Sequence, residues 1–183
     1  MELDSKIIQI KDKKFELSIT EFEIQKAVQH VADQIAFDFE GKSPLFIAVL
    51  NGAFMFAADL MKHINIPCEI SFVKFNSYVG TQSTGIVHQF QGLNQSVEGR
   101  DVIVVEDIID TGATMHHVIK ALKKEGAQSI TVASFFLKLD ALQQEVKVDY
   151  VAMKIPNHFI VGYGLDYDGF GRNLKNIYTL IQD

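Results

Sequence analysis

An α/β fold with a mostly parallel central sheet flanked by helices is what this sequence predicts, on three observations. Leu45 to Leu50 (L-F-I-A-V-L) is unbroken apolar sequence, the pattern of a strand buried on both faces. Val102 to Val105 is a β-branched run that leads, through a short acidic stretch, into helical spacing. Around these two runs, strand-like and helix-like stretches alternate, as they do in βαβ units. With 183 residues, 48% hydrophobic and 22% charged, the chain suits one globular domain with a sizeable core.

In chain order, Ile7 to Ile10 and Phe15 to Ile19 read as short strands around a Lys-Asp-Lys-Lys turn. Thr20 with Glu23 three residues on forms a capping box, and Ile24, Val28, Val31 and Ile35 then repeat at helical spacing, with Gly41 as the stop. Nothing in this helix carries chemistry, so it is scaffold. The strand Leu45 to Leu50 runs into Asn51-Gly52 and an apolar helix, Ala53 to Ile64. Pro67 to Asn76 is a further strand. Ser77 to Gly92 is polar and glycine-bearing, of a length that suggests either an irregular lid or a solvated β-hairpin. After Thr114, Val118, Ile119 and Leu122 share one helical face, opposite Lys120, Lys123 and Lys124, and Gly126 ends the turn. Ser129 to Leu137, Tyr150 to Ile155 and Asn176 to Ile181 complete the strands.

The bulk numbers exclude several classes. A formal net charge of -6 without a basic stripe argues against nucleic acid as a partner. An acidic protein that takes a polyanionic substrate must concentrate positive charge locally or borrow it from a divalent cation. Cys68 stands alone, so no internal disulfide framework exists and a reducing cytosol is the expected setting. Met1-Glu2-Leu3-Asp4 is acidic with no apolar stretch behind it, and neither a signal peptide nor a membrane-spanning run is expected. The expectation is a soluble, cytoplasmic protein.

Chemistry concentrates at Glu106-Asp107-Ile108-Ile109-Asp110-Thr111-Gly112-Ala113-Thr114. Amides and hydroxyls from Thr111 to Thr114 can form a concave nest at a helix N-terminus, which binds a phosphate without a lysine. A nucleoside triphosphate loop would carry lysine here, and none is present. Glu106, Asp107 and Asp110 beside the nest suit sugar hydroxyls and a hard cation, so the loop reads as a sugar-phosphate site with Mg²⁺. The bland alternative is a strand end with solvated acids.

Other residues remain open at this level. Asn51-Gly52 is equally a tight turn or a second anion site. Lys138, at a strand end, is either solvated or aimed at a carbonyl oxygen. Phe159 is either core or a surface on which a base stacks, and Asp166 and Asp168, flanking Tyr167, read at this level as turn decoration. Gly162 and Gly164 suggest a dinucleotide fingerprint, but Tyr167 occupies the place of its third glycine. His116 and His117 are adjacent on a helix and give no zinc pattern. No nucleophile, base and orienter assemble around Cys68 or a serine.

The run from Glu106 to Gly112 resembles the phosphoribosyl pyrophosphate signature of type I phosphoribosyltransferases, specifically the hypoxanthine-guanine branch. The likeness extends from about the first long helix to the C-terminus. It implies a single domain over residues 1–183, whose type I phosphoribosyltransferase fold carries a small hood from roughly residues 1–19 and 157–183. It further implies purine salvage: Mg²⁺-dependent transfer of 5-phosphoribosyl from phosphoribosyl pyrophosphate to N9 of a 6-oxopurine, hypoxanthine and guanine, giving IMP or GMP. By the resemblance, Glu106 and Asp107 hold the ribose hydroxyls and the metal, and Asp166 is a second metal ligand. Ile109 to Thr114 bind the donor, with Asp110 beside N7 of the base as general base or acceptor. Asn51 and Gly52 bind pyrophosphate, often through a cis peptide, and Asn51 stands where many members carry lysine. Ser77 and Tyr78 close a flap over the pyrophosphate and Arg172 contacts it. Lys138 donates to the exocyclic oxygen of the base, Phe159 stacks on it and the Ile160 backbone reads its edge. His158 stands where many members have lysine. Relatives are commonly dimers or tetramers, so a homo-oligomer is expected. Two other readings stand beside this one: an RNA-binding, nucleotide-sensing regulator on the same fold, which the net charge disfavours, and the same chemistry on xanthine or a pyrimidine.

Overall fold

Apolar side chains on two faces fix the central sheet. In the computed structural model, which describes residues 6–79 and 86–182, six strands lie in the order β5-β4-β3-β6-β7-β8. These are β3 (Leu45–Leu50), β4 (Glu69–Val79), β5 (Ile86–Gln91), β6 (Asp101–Ile109), β7 (Ser129–Leu137) and β8 (Tyr150–Lys154). All neighbours are parallel except β5, which runs antiparallel to β4. Helix α1 (Glu21–Asp38) and helix α2 (Phe54–His63) cover one face; helix α3 (Ala113–Lys124) covers the other.

The period-2 rule explains why the strands read as continuous apolar runs. Phe46 and Ala48 of β3, with Ile103 and Val105 of β6, enter the core beneath α1 and α2. Leu45, Ile47 and Val49, with Val102 and Val104, enter the core beneath α3. Both faces are covered, so neither can be polar. Helix α1 starts where the capping box requires: the Thr20 N–H donates to Glu23 Oε2 at 2.8 Å, and the Glu23 N–H donates to Thr20 Oγ1 at 3.4 Å.

A second, antiparallel sheet joins the two ends of the chain in the order β1-β2-β10-β9. Its strands are β1 (Ile7–Ile10), β2 (Lys13–Ile19), β9 (Ile160–Val161) and β10 (Ile177–Leu180). Ile8, Ile10, Phe15, Val161, Leu174 and Tyr178 form its own small core.

Two elements depart from expectation and a third settles between alternatives. Strand β6 continues through Glu106 and Asp107 to Ile109, so these acids sit in the strand end rather than in a loop. Its pairing with β7, from Glu106 opposite Ser134 to Ile109 opposite Leu137, holds the polar end extended. Helix α3 begins at Ala113, so Thr114 lies in its first turn. Within Ser77 to Gly92, the described residues are the paired ends of β4 and β5, with Ser77 opposite His88 and Tyr78 opposite Val87. This is the hairpin alternative; the rest of that stretch, residues 80–85, lies outside the described residues.

Candidate active site

The sheet order puts a switch point between β3 and β6. From β3 the chain crosses to β4 on one side, and from β6 it continues to β7 and β8 on the other. The crevice beyond the carboxyl ends of two such strands is where an open α/β sheet binds its ligand. Asn51-Gly52 follows β3, Glu106 to Asp110 close β6, and Lys138 follows β7. The peptide bond Leu50–Asn51 is cis.

Close packing at the crevice depends on Gly52. A Cβ built there would lie 1.4 Å from Asp107 Oδ2, so only a glycine leaves room for that carboxylate. From the opposite side, a Cβ on Gly164 would come within 2.0 Å of the Gly52 carbonyl oxygen, and Gly164 has φ +98°. Three segments distant in sequence thus meet at one point. Sequence reasoning assigned no role to Gly164 beyond a failed fingerprint.

Glu106 is only 7% exposed. Burial pushes its carboxyl well above the usual carboxylate range, and the charge of neighbouring Asp107 pushes the same way. Asp107 is also raised, by burial first, against hydrogen bonds and the positive charge of Arg172. Asp107 Oδ1 accepts from the Ile108 N–H at 2.8 Å. The acids are therefore a crowded, desolvated pair, not solvated strand-end decoration.

Beyond them, Ile108 to Met115, with Glu106, line a cavity of about 100 Å³. Gly112 caps α3 with φ +80° and no side-chain cap, leaving first-turn amides available to an anion. The Ala113 N–H makes only a long, 3.4 Å contact to Thr111 Oγ1. Thr111 to Thr114 thus sit at a helix N-terminus that no side chain caps.

Strand pairing brings Lys138 beside Asp110: the Lys138 N–H donates to the Ile109 carbonyl at 3.0 Å. The Lys138 ammonium is buried, 3.1 Å from Asp110 Oδ2 and 3.2 Å from Asn157 Oδ1. It is not a solvated strand-end lysine. Asn157 was not foreseen; its only signal is its position just past a strand that ends at Pro156. Phe159 is 47% exposed, with the rings of Phe15 and Tyr167 at 6.3 and 5.9 Å between centroids. A half-exposed ring propped by two others is a platform rather than core. Ile160 starts β9, paired with Thr179.

Arg172 is held from two directions. It donates to the Gly164 carbonyl at 2.7 Å and pairs with Asp166 Oδ1 at 2.6 Å, while Asp166 Oδ2 accepts from the Gly169 N–H at 2.6 Å. The loop carrying these residues is anchored by Tyr163, whose hydroxyl donates to Asp59 Oδ2 at 2.9 Å; Gln25 and Lys62 also bond to Asp59. Among the described residues, no three His, Cys, Asp or Glu side chains come together closely enough to cage a metal. No described helix is long and apolar enough to cross a membrane.

With this geometry in view, comparison with known proteins defines the class. Residues 18–168 match the phosphoribosyl transferase domain family, and the chain belongs to that family. Its relatives narrow the branch. It is 40% identical over 165 residues to the hypoxanthine-guanine phosphoribosyltransferase of Streptococcus pyogenes, covering 90% of this chain and 92% of that protein. The chain is also 40% identical over 160 residues to the bifunctional protein TilS/HprT of Listeria monocytogenes, of whose length it spans 25%. A solved hypoxanthine-guanine phosphoribosyltransferase from Bacillus anthracis, with HEPES in its active site, superposes with a TM-score of 0.81 at 34% identity. That match covers 91% of this chain and 97% of the other. The hypoxanthine phosphoribosyltransferase of Trypanosoma cruzi gives 0.81 at 32% identity, with the same coverage.

Proposed function

We propose that this chain is a purine-salvage transferase that moves 5-phosphoribosyl from phosphoribosyl pyrophosphate to N9 of hypoxanthine and guanine, yielding IMP or GMP and pyrophosphate. One observation carries the reading: a buried carboxylate pair and an uncapped helix N-terminus meet at the sheet's switch point. The first suits ribose hydroxyls and the second a phosphate. All residues 1–183 act as one domain, with the hood of roughly residues 1–19 and 157–183 supplying Phe159, Ile160, Asp166 and Arg172.

In this reading Thr111 to Thr114 donate amides and hydroxyls to the 5-phosphate, with Ile109 shaping the floor. Glu106 and Asp107 accept from the ribose hydroxyls and fix the sugar for in-line attack. Asn51 and Gly52 offer backbone groups to the pyrophosphate, and Ser77 and Tyr78 close a flap over it. Arg172 answers the charge that leaves with pyrophosphate; its five donors allow this while it holds Gly164 and Asp166. Asp110 receives the proton at N7 or accepts its hydrogen bond, and Lys138 donates to the exocyclic oxygen. A positioned proton acceptor of this kind is typically worth roughly 10²–10⁴-fold in rate. Phe159 stacks on the base.

The donor set fits Mg²⁺. Glu106 and Asp107 present carboxylate oxygens, and burial raises the pKa of both, so a cation that replaces their lost solvation would be favoured there. Mg²⁺ takes one or two carboxylates and fills its shell with waters and substrate phosphate oxygens, so the lack of a three-residue cage does not disfavour it. When bound through Glu106 and Asp107, with Asp166 as second ligand, it would neutralise pyrophosphate charge. Cytoplasmic residence suits the lone Cys68, and self-association to a dimer or tetramer belongs to the same reading. Calorimetric titration with phosphoribosyl pyrophosphate tests the site: binding strengthened by Mg²⁺ is expected. No binding with or without Mg²⁺ contradicts it.

A further inference from the structure

A cavity of about 700 Å³ lies between α3, the start of β7 and residues 145–149, and shares no lining residue with the phosphate nest. Its volume is in the range that holds small organic molecules. The floor is apolar, formed by Ile119, Ile130 and Val146, each half-buried at the edge of the core beneath α3. The rim carries Lys120, Lys123 and Lys147.

The charges on this rim do not cancel within the protein. Lys147 is paired with Asp149 at 2.6 Å, and the other Asp149 oxygen accepts from the Val132 N–H at 2.9 Å. Asp149 is thereby spent. Among the described residues, no carboxylate lies within ion-pair distance of Lys120 or Lys123, and Glu145 is the one remaining acid on the rim. Lys120 and Lys123 thus leave positive charge above an apolar floor.

One wall of the cavity also braces the nest. The Gln143 and Gln144 N–H groups both donate to the Thr111 carbonyl, at 3.0 and 3.1 Å. Val146 Cγ2 lies 3.2 Å from where a Cβ on Gly112 would be, and the Gln144 carbonyl oxygen 3.1 Å from it. A ligand that shifts Val146 or Lys147 therefore acts on the backbone that shapes Thr111 and Gly112.

We propose that this cavity is a second ligand site, which takes an organic anion with a flat apolar body and communicates with the nest through residues 143–146. The binding stands on the cavity alone; the communication rests on the reading of Thr111 to Thr114 as a phosphate cradle.

The test uses the intact chain and anilinonaphthalene sulfonate as probe, titrated in saturating inorganic phosphate so that the nest is occupied. One probe per chain is expected. Affinity should fall on the order of tenfold in Lys120→Glu/Lys123→Glu and stay at the wild-type level in Lys124→Glu, which is on the same helix but off the cavity. Equal binding by wild type and double variant, an equal loss in Lys124→Glu, or a second copy of the chain covering the cavity would each overturn the site. Inorganic phosphate affinity is then measured with and without the probe. A change of about fivefold supports communication, and no change refutes it. If phosphate does not bind at all, the cradle reading fails while the probe result stands.

Discussion

Gly52→Ala isolates the contact that assembles the crevice. The added Cβ would sit 1.4 Å from Asp107 Oδ2 and 2.4 Å from its Cγ, far inside contact distance. Gly52 does not have the positive φ that would strain alanine, so the penalty is steric. Asp107 is partly buried at the end of a paired strand, and its Oδ1 is held by the Ile108 N–H at 2.8 Å, so its carboxylate does not move aside freely. Overpacking of this kind costs about 1–3 kcal/mol. At about 2–4 °C per kcal/mol for a chain of this size, the melting temperature should fall by about 2–12 °C. Thermal denaturation of Gly52→Ala, Asp107→Ala and the double variant gives the assay. Once the carboxylate is gone its clash is gone, so the alanine penalty should shrink, with a coupling of about 0.5–3 kcal/mol. Gly169→Ala, at φ +86° with nothing within 4 Å, controls for backbone strain alone. An alanine penalty equal in both backgrounds would refute the reasoning.

Asp110→Asn should lose turnover by roughly 10²-fold or more while affinity for phosphoribosyl pyrophosphate changes little; unchanged turnover would remove Asp110 from the chemistry. For Glu106, burial raises the folded-state pKa, so the folded protein holds this proton more tightly than the unfolded chain. The resulting stabilisation is complete below the ordinary carboxylate pKa and is lost as pH rises through the raised value. Glu106→Gln should therefore gain stability over wild type at neutral pH but not in acid, read by urea denaturation at both, and should be a poorer enzyme. Arg172→Lys should lose kcat/KM on the order of tenfold, because one ammonium cannot span the Gly164 carbonyl and Asp166 as the guanidinium fork does. A wild-type value would show the fork to be dispensable.

Much of this architecture is legible in the sequence because both faces of the central strands are covered. Leu45 to Leu50 and Ser129 to Leu137 match β3 and β7 residue for residue, since apolar and β-branched side chains fill most of their core positions. Where side chains turn polar, the signal fails. Strand β6 continues through Glu106 and Asp107 because β7 pairs with it, and no local propensity announces that. The hairpin of β4 and β5 is legible only as one of two alternatives, because its stretch is polar. At the site, the acids and the nest are contiguous and so readable. The Lys138–Asp110 pair depends on β6 and β7 being neighbours, and the meeting of Gly52, Asp107 and Gly164 depends on three loops converging. Residue types singled out Gly52, Asp107, Asp110 and Lys138 one by one; only strand order and loop convergence made them partners.

The most direct measurement is nucleotide formation from hypoxanthine, guanine and xanthine, each separately, with phosphoribosyl pyrophosphate and Mg²⁺. The account predicts IMP or GMP together with stoichiometric pyrophosphate. No nucleotide from any of the three bases, from folded protein that binds the donor, would contradict it.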